Sequence, residues 1–366
     1  MKPPVVIIGA GLSGLSLAIL LRRLQVPVTI LEKDIYPRQK VCGEYISVES
    51  EAFVRSLGVD TTHLPHINTL HLTSNRGREA QVKLKTGGFG ISRWTLDHQL
   101  AQIACAEGAD VQFGVTVRNV EGNTVRTVKH GDMEASHVIG AYGKSNRLSE
   151  IELPKNTTHY VGIKYHVKSD APQDVIEMHV FKGGYCGFSK IEDDLYCLCY
   201  LADAAPLKSF GGDIDAFEKE HLSLNPKLKT RFAQVEKVGE RAATSQFHFG
   251  SYRGHVNNQL LVGDASGFIP PITGNGMSLA FRSAANTAPL LADVWHGKLE
   301  EQALYKIQQN YVDTYLQKRI SKGVFLQNLL LKQNWLSDAV LFAGLNHLPF
   351  LGQVLVDTAV GEEFRI

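Results

Sequence analysis

The stretch Val5-Val6-Ile7-Ile8-Gly9-Ala10-Gly11-Leu12-Ser13-Gly14 decides how the chain is read. Four apolar, β-branched residues predict a short buried strand, and G-x-G-x-x-G followed by a helical pattern predicts a tight turn into a helix. A second run, Val28-Thr29-Ile30-Leu31, ends at Glu32, 18 positions after Gly14. Strand, glycine turn, helix, strand and acid at this spacing form a βαβ unit for a dinucleotide. Gly9 permits the turn, Gly11 lets the backbone approach a pyrophosphate, and Gly14 lets the helix pack on the strand. The helix start at Leu12 and Ser13 points free N–H groups and a partial positive charge at the phosphates. Glu32 is placed to accept from ribose hydroxyls, and its charge repels a 2′-phosphate.

Composition bounds the rest. At roughly 150 residues per domain, the 366 residues imply two domains. The 38 basic and 37 acidic side chains leave a formal charge of +1, so no bulk basic field exists to bind nucleic acid. The cysteines, Cys42, Cys105, Cys186, Cys197 and Cys199, are odd in number and lack metal-type spacing. No metal site is expected, and a reducing, cytoplasmic location fits. Cys197-x-Cys199 lies in an alternating run that sends both thiols to one face, toward a core. The chain enters a strand almost at once, so no signal peptide is read, and no apolar run has transmembrane length.

Outward from the first unit, residues 33–50 read as a loop holding Arg38, Lys40 and Cys42-Gly43-Glu44, and residues 51–58 as a short helix. Residues 66–92 alternate as strands. Arg93-x-x-Leu96-Asp97-x-x-Leu100 opens an amphipathic helix that stops at Gly108. Residues 111–120, 125–128 and 138–141 read as strands, and 156–202 as a β-rich region. Residues 213–235 are helical with a break at Asn225-Pro226. The strand Leu260-Leu261-Val262 leads into Gly263-Asp264. A helix runs from Gly276 to about Trp295, residues 301–334 are helical, and 335–360 form an apolar, short-helical tail. There is only one dinucleotide fingerprint. A disulfide reductase is excluded because position 47 is Ser47 rather than a partner for Cys42.

Three separated segments agree with one another: GAGLSG, the Arg93 segment, and Leu261-Val262-Gly263-Asp264-Ala265-Ser266-Gly267 continuing through Pro271-Ile272-Thr273-Gly274-Asn275-Gly276-Met277. Together they resemble the FAD-dependent oxidoreductase superfamily of p-hydroxybenzoate hydroxylase-type monooxygenases and geranylgeranyl reductases. The resemblance covers most of residues 1–300 and implies FAD as cofactor. It implies that Asp264 accepts from a hydroxyl of the ribose or ribityl chain. It also implies that the helix beginning at Asn275, Gly276 and Met277 aims its positive end at the N1/O2 edge of the flavin. Arg93 resembles the arginine that reaches FAD. Lys33, Arg38, Lys40 and Val117 complete the cofactor-binding set. Cys42, Gly43, Tyr45 and Tyr185 are the candidates beside the flavin, with His166 a further possibility by location.

Two departures shape the functional reading. The family's Asp-Gly pair after the strand at 138–141 is replaced by Tyr142-Gly143-Lys144-Ser145, with Arg147 retained, which argues against fast direct reduction by NADPH or NADH. Gly183-Gly184-Tyr185 lacks the Trp and Pro that follow in geranylgeranyl reductases, and the isolated tryptophans lack the halogenase Trp-x-Trp pattern. The expected architecture is α/β: a Rossmann-like FAD-binding domain (1–75, 93–150 and 250–310), an inserted β-rich substrate domain (76–92 and 151–249), and a helical C-terminal cover (311–366). The expected activity is flavin-dependent monooxygenation of a hydrophobic small molecule. C=C reduction of an isoprenoid is the alternative, and a non-catalytic flavin-binding protein is a third reading. The tail at 335–360 is expected either to cover a hydrophobic tunnel or to touch a membrane peripherally, and a separate reductase is a possible partner.

Overall fold

A computed structural model describes residues 2–144, 148, 159–245, 252–331, 334–362 and 364. Ser145 and Arg147, singled out above, lie outside the described residues. In chain order the elements begin with β1 (Val5–Ile8), α1 (Leu12–Arg23), β2 (Val28–Glu32), β3 (Tyr45–Ser47), α2 (Glu51–Ser56), β4 (His66–Thr73), β5 (Glu79–Gly90) and α3 (Arg93–Ala106). Then come β6 (Asp110–Phe113), β7 (Val117–Glu121), β8 (Thr124–Thr127), β9 (Asp132–Glu134), β10 (His137–Gly140), β11 (Tyr160–Lys168), β12 (Val175–Phe181), β13 (Gly184–Lys190) and β14 (Tyr196–Asp203). The chain continues through α4 (Ala204–Ser209), α5 (Ile214–Glu220), α6 (Pro226–Gln234), β15 (Glu236–Ser245), β16 (His255–Val256), β17 (Gln259–Leu261) and α7 (Gly276–Trp295). It closes with α8 (Glu301–Tyr311), α9 (Gln317–Leu331), α10 (Trp335–His347) and α11 (Pro349–Ala359).

The first sheet runs β16-β17-β10-β1-β2-β6, parallel except at β16. Its side chains alternate as a pleated strand requires. Val5 and Ile7 enter a core shared with α1, α3 and α7, whereas Val6 and Ile8 face a second cluster with Leu31, Val115 and Val125. Helices thus cover one face and the small β7-β8-β9 sheet the other. The chain leaves β1 toward β2 on one side, and β10 closes the other, so the glycine turn sits where strand order reverses. Open parallel sheets bind ligands at that switch point.

The second sheet runs β15-β11-β14-β13-β12-β4-β5-β3, antiparallel except where β12 meets β4. One face, with Tyr165, Phe188, Leu198 and Tyr200, is sealed by Phe217, Leu222 and Leu228 from the segment holding α5 and α6. The other face carries Leu72, Tyr185 and Leu201 and meets Ile272, Leu330, Phe342 and Leu345. The C-terminal helices therefore wall this side of the sheet.

The pairing differs from the sequence reading in three places. β3 and β4 belong to the second sheet, although residues 1–75 were assigned to the FAD layer. β15 was not read as a strand, because Glu236–Ser245 is a mostly exposed, polar edge with little apolar alternation to mark it. Cys197 and Cys199 do share a face, but it is the one opposite Tyr196, Leu198 and Tyr200. That face looks toward the 39–44 loop, and the Cys197 thiol donates to the Cys42 carbonyl at 3.2 Å.

Candidate FAD and substrate site

The glycine turn has the shape the sequence implies. Gly9 adopts φ +107°, and a Cβ there would lie 2.5 Å from the Ala141 carbonyl oxygen. A Cβ on Gly14 would lie 2.1 Å from the Gly9 oxygen, so helix and turn are in backbone contact. A Cβ on Gly11 would meet nothing within 4 Å. Gly11 is the N-cap of α1 and supplies no side-chain cap, and the first turn holds no acid. The N–H groups of Leu12, Ser13 and Gly14 thus open onto the space that Gly11 leaves clear, as an anion-binding helix terminus requires.

Glu32, buried at the end of β2, accepts from the Ala10 N–H at 2.8 Å and from the Asp34 N–H at 3.0 Å. Two backbone donors fix the carboxylate at the rim of the cleft and leave acceptor capacity for ribose hydroxyls. From Ala10 a polar chain continues. The Tyr36 hydroxyl donates to the Ala10 carbonyl, and Lys40 Nζ donates to Tyr36 Oη at 2.5 Å. Lys40 Nζ also lies 2.7 Å from Asp97 Oδ2, and Arg93 grips Asp97 with two bonds of 2.6 and 2.8 Å. Burial opposes the Asp97 charge, but Arg93 and Lys40 outweigh it and hold the carboxyl below its ordinary range. Arg93 and Lys40 are therefore both anchored by Asp97. Arg38 turns away, pairing with Asp34 at 2.9 Å, and Lys33 is exposed. Val117, half-buried at the start of β7, packs against the cluster holding Val6 and Ile8.

The second cofactor segment meets the first. Gly263 adopts φ +62°, and a Cβ there would lie 2.4 Å from Ser13 Oγ. Its N–H donates to Ser283 Oγ at 3.0 Å, which ties the turn to α7. Among the described residues, nothing hydrogen-bonds the Asp264 carboxylate. Burial pushes it up to about 6, against the pull of Arg93 and Lys144. Lys144 donates to Thr244 Oγ1 at 2.7 Å and to the Ser245 carbonyl at 2.6 Å. Gly274 takes the left-handed conformation at φ +67° and turns the chain into α7. Asn275, the N-cap, turns its side-chain amide to the Ala359 carbonyl instead of capping the helix. The N–H groups of Gly276 and Met277 then remain free at a positive helix end.

The residues fit FAD. Glu32, Gly11 and the α1 terminus suit the nucleotide half; Asp264, which accepts no hydrogen bond among the described residues, suits the middle; and the uncapped α7 terminus suits the flavin end. Of the residues expected beside the flavin, Tyr45 lies at the Gly274 turn. The Tyr45 ring lies 3.5 Å from where a Gly274 Cβ would be. Cys42 is half-buried, Gly43 is exposed with no neighbour within 4 Å of a built Cβ, and Tyr185 is buried in the opposing wall. Burial raises the Cys42, Cys199 and Tyr185 groups above their ordinary values and keeps their protons on.

A buried ionic cluster next to Cys42 was only partly read from sequence. Glu44 Oε1 accepts from Lys164 Nζ at 2.6 Å and from the Arg93 N–H at 2.7 Å, and Glu44 Oε2 contacts His166 Nε2 at 2.7 Å. Gln39 Oε1 accepts from Lys164 at 2.5 Å, which leaves its amide nitrogen facing His166 Nδ1 at 3.2 Å. His166 Nδ1 is then an acceptor and Nε2–H the donor to Glu44. His166 was named by location, whereas Lys164 and Gln39 were missed. The available signal was the alternation in Ile163-Lys164-Tyr165-His166-Val167, which sends both polar groups to the face opposite a buried apolar set.

Comparison with known proteins bears on the cofactor and the fold. Residues 2–174 match the family model described as the FAD binding domain. The chain is 24% identical over 351 residues to conditioned medium factor receptor 1 of Dictyostelium discoideum, covering 83% of this chain and 66% of that protein. It is 24% identical over 330 residues to squalene monooxygenase of Rattus norvegicus, covering 80% of this chain and 55% of that protein. The chain thus spans about two thirds of the first relative and little more than half of the second. The fold superposes on a flavin-dependent brominase structure with a TM-score of 0.79 at 18% identity, covering 98% of this chain and 94% of that one.

Proposed function

We propose that the protein is a flavin monooxygenase that hydroxylates a hydrophobic small molecule. The carrying observation is that Ile272, in the flavin-side turn, and Tyr185 and Leu201, on the second sheet, belong to one apolar cluster. The wall facing the flavin end is thus dry and greasy, and the nearby charges of Glu44 and Lys164 are paired with each other. Bound FAD supplies two-electron redox chemistry and, once reduced, reaction with oxygen. The protein's part is to hold the nucleotide on Glu32 and the α1 terminus, steady the middle on Asp264, and exclude water. Squalene monooxygenase among the relatives supports a lipophilic substrate and an oxygen-dependent reaction.

The electron donor we infer to be a separate reductase or carrier. Tyr142 stands where relatives using nicotinamide carry an aspartate, and its ring closes against Gly140, whose built Cβ would lie 2.6 Å from it. NADPH or NADH would reduce the flavin slowly. The free cysteines fit a reducing, cytoplasmic compartment.

One observation favours a second reading. Cys42, Cys199 and Tyr185 are neutral proton donors around the same wall, as reduction of an isoprenoid C=C bond requires. A screen of hydrophobic compounds under air and under argon separates the two. Oxygen uptake matched by a hydroxylated product supports the monooxygenase. Anaerobic turnover that saturates a double bond overturns it in favour of the reductase, and a flavin that no reductant bleaches overturns both.

A further inference from the structure

We propose that the outer face of α10 and α11, continued by the end of α9, docks on a lipid bilayer and admits lipophilic substrate from it. Only the admission step rests on the function proposed above. The two helices meet in a 105° bend at Leu348. Their inner sides belong to the protein: Phe342 and Leu345 share the cluster with Tyr185, Leu201 and Ile272. Their outer sides do not. Trp335 and Val340 are each 65% exposed, Phe350 61% and Val354 56%, and Phe325 on α9 adds a further ring at 62%. Such a concentration of exposed large apolar groups on one segment marks an interaction surface.

The charge pattern selects the occupant. Between residues 335 and 356 the only acid or base besides His347 is Asp338. It is buried and turned inward to Arg78 at 3.2 Å, with Ser74 Oγ donating to the same oxygen. The one exposed charge of α10 and α11 is Asp357 near the C-terminal end of α11, and it is paired with Lys85 at 3.3 Å, so the outer face is sparse in charge and its one charge is compensated. A protein partner of the usual kind needs roughly one hydrogen bond per 100–200 Å² to fix its register, and this face offers few groups to make them. A bilayer needs none, because helices lying in its surface bind through buried apolar area. No single described helix is long and apolar enough to span a membrane, and the 105° bend between α10 and α11 suits a pair lying along the bilayer surface better than a straight span. The same helices also form the inner wall, so apolar surface is continuous from the bilayer side to the flavin-side turn.

The test is flotation of the FAD-loaded chain with neutral phosphatidylcholine vesicles in low and high salt. The protein should float, with little loss in high salt. The double substitution Val340→Glu and Phe350→Glu should lower vesicle partition at least about tenfold while flavin content and melting temperature stay unchanged. Trp335→Ser with Val354→Asn should lower it too, without adding charge. Failure of the unsubstituted protein to float overturns the proposal, as does flotation that survives both pairs. A dimer in solution that either pair dissolves, without flotation, overturns it in favour of contact between copies of this chain. None of these outcomes depends on which reaction the flavin performs.

Discussion

Lys164 Nζ and Glu44 Oε1 lie 2.6 Å apart with both side chains closed off from solvent, joining the loop before β3 to the second sheet. The pair ends a chain that starts at Ala10 in the glycine turn and passes through Tyr36, Lys40, Asp97 and Arg93. The glycine turn and the second sheet are thus linked by contiguous polar contacts.

Removing one partner from this cluster should be costly, because the other is left as an uncompensated buried charge. Glu44→Gln is expected to destabilise the protein by about 3–5 kcal/mol, with Glu44→Gln/Lys164→Met recovering much of the loss. Urea unfolding followed by far-UV circular dichroism measures both. A single substitution costing no more than a surface change would mean that Lys164 finds water or another partner.

The same cluster should make the protein acid-sensitive. Burial raises the Glu44 carboxyl, but the hydrogen bond from His166 and the charge of Lys164 outweigh it and bring it below its ordinary 4.5. A folded-state value below the unfolded one contributes stability above the unfolded value, which is lost as pH falls through the folded value. The urea midpoint should therefore drop below about pH 4.5, and more steeply in the native protein than in Glu44→Gln/Lys164→Met. Parallel profiles would remove Glu44 from the acid transition.

Gly11 and Gly14 should fail in different ways. A methyl at Gly14 meets the Gly9 carbonyl at 2.1 Å, so Gly14→Ala is expected to disrupt the βαβ unit and lower the melting temperature. A methyl at Gly11 meets no protein atom within 4 Å, so Gly11→Ala is expected to fold normally and lose FAD. Apo-protein melting and flavin content of the purified variants decide it. Full flavin content in Gly11→Ala would place the pyrophosphate elsewhere.

The parts legible in the sequence were those with strong local chemistry. Gly9, Gly11, Gly14 and Glu32 are fixed by one short stretch whose spacing admits few other structures. Helix α7 was readable from Gly276 to Trp295 because its periodicity is sustained and its start follows Pro271 and Gly274. The second sheet was only partly readable. β15 is a polar edge, and β3 has three residues, so neither leaves a periodic trace. Arg38 and Arg93 show the limit for charges. Both were candidates for the cofactor, and only the fold shows Arg38 on Asp34 near the surface and Arg93 on Asp97 inside. The Glu44 cluster joins residues more than a hundred positions apart, a pairing that no single-sequence pattern encodes.

Asp264 should trade stability for cofactor binding. In the apo-protein its carboxyl is pushed up from 3.8 to about 6 by burial, with Arg93 and Lys144 opposing. A raised folded-state value means that ionising Asp264 costs stability as pH rises through the interval from 3.8 to about 6, and the cost is complete at pH 7. At about 1.36 kcal/mol per unit, that cost is about 3 kcal/mol. Asp264→Asn should therefore stabilise the apo-protein at pH 7 and lose that advantage at pH 4. The same substitution should weaken FAD by about 1.5–3 kcal/mol, since a charged acceptor for a cofactor hydroxyl is gone. Titration of apo-protein with FAD, beside urea unfolding at both pH values, measures the two effects separately. A variant that binds FAD as tightly as the native protein would remove Asp264 from the site, and one no more stable at pH 7 would show that its carboxylate is not held at a cost.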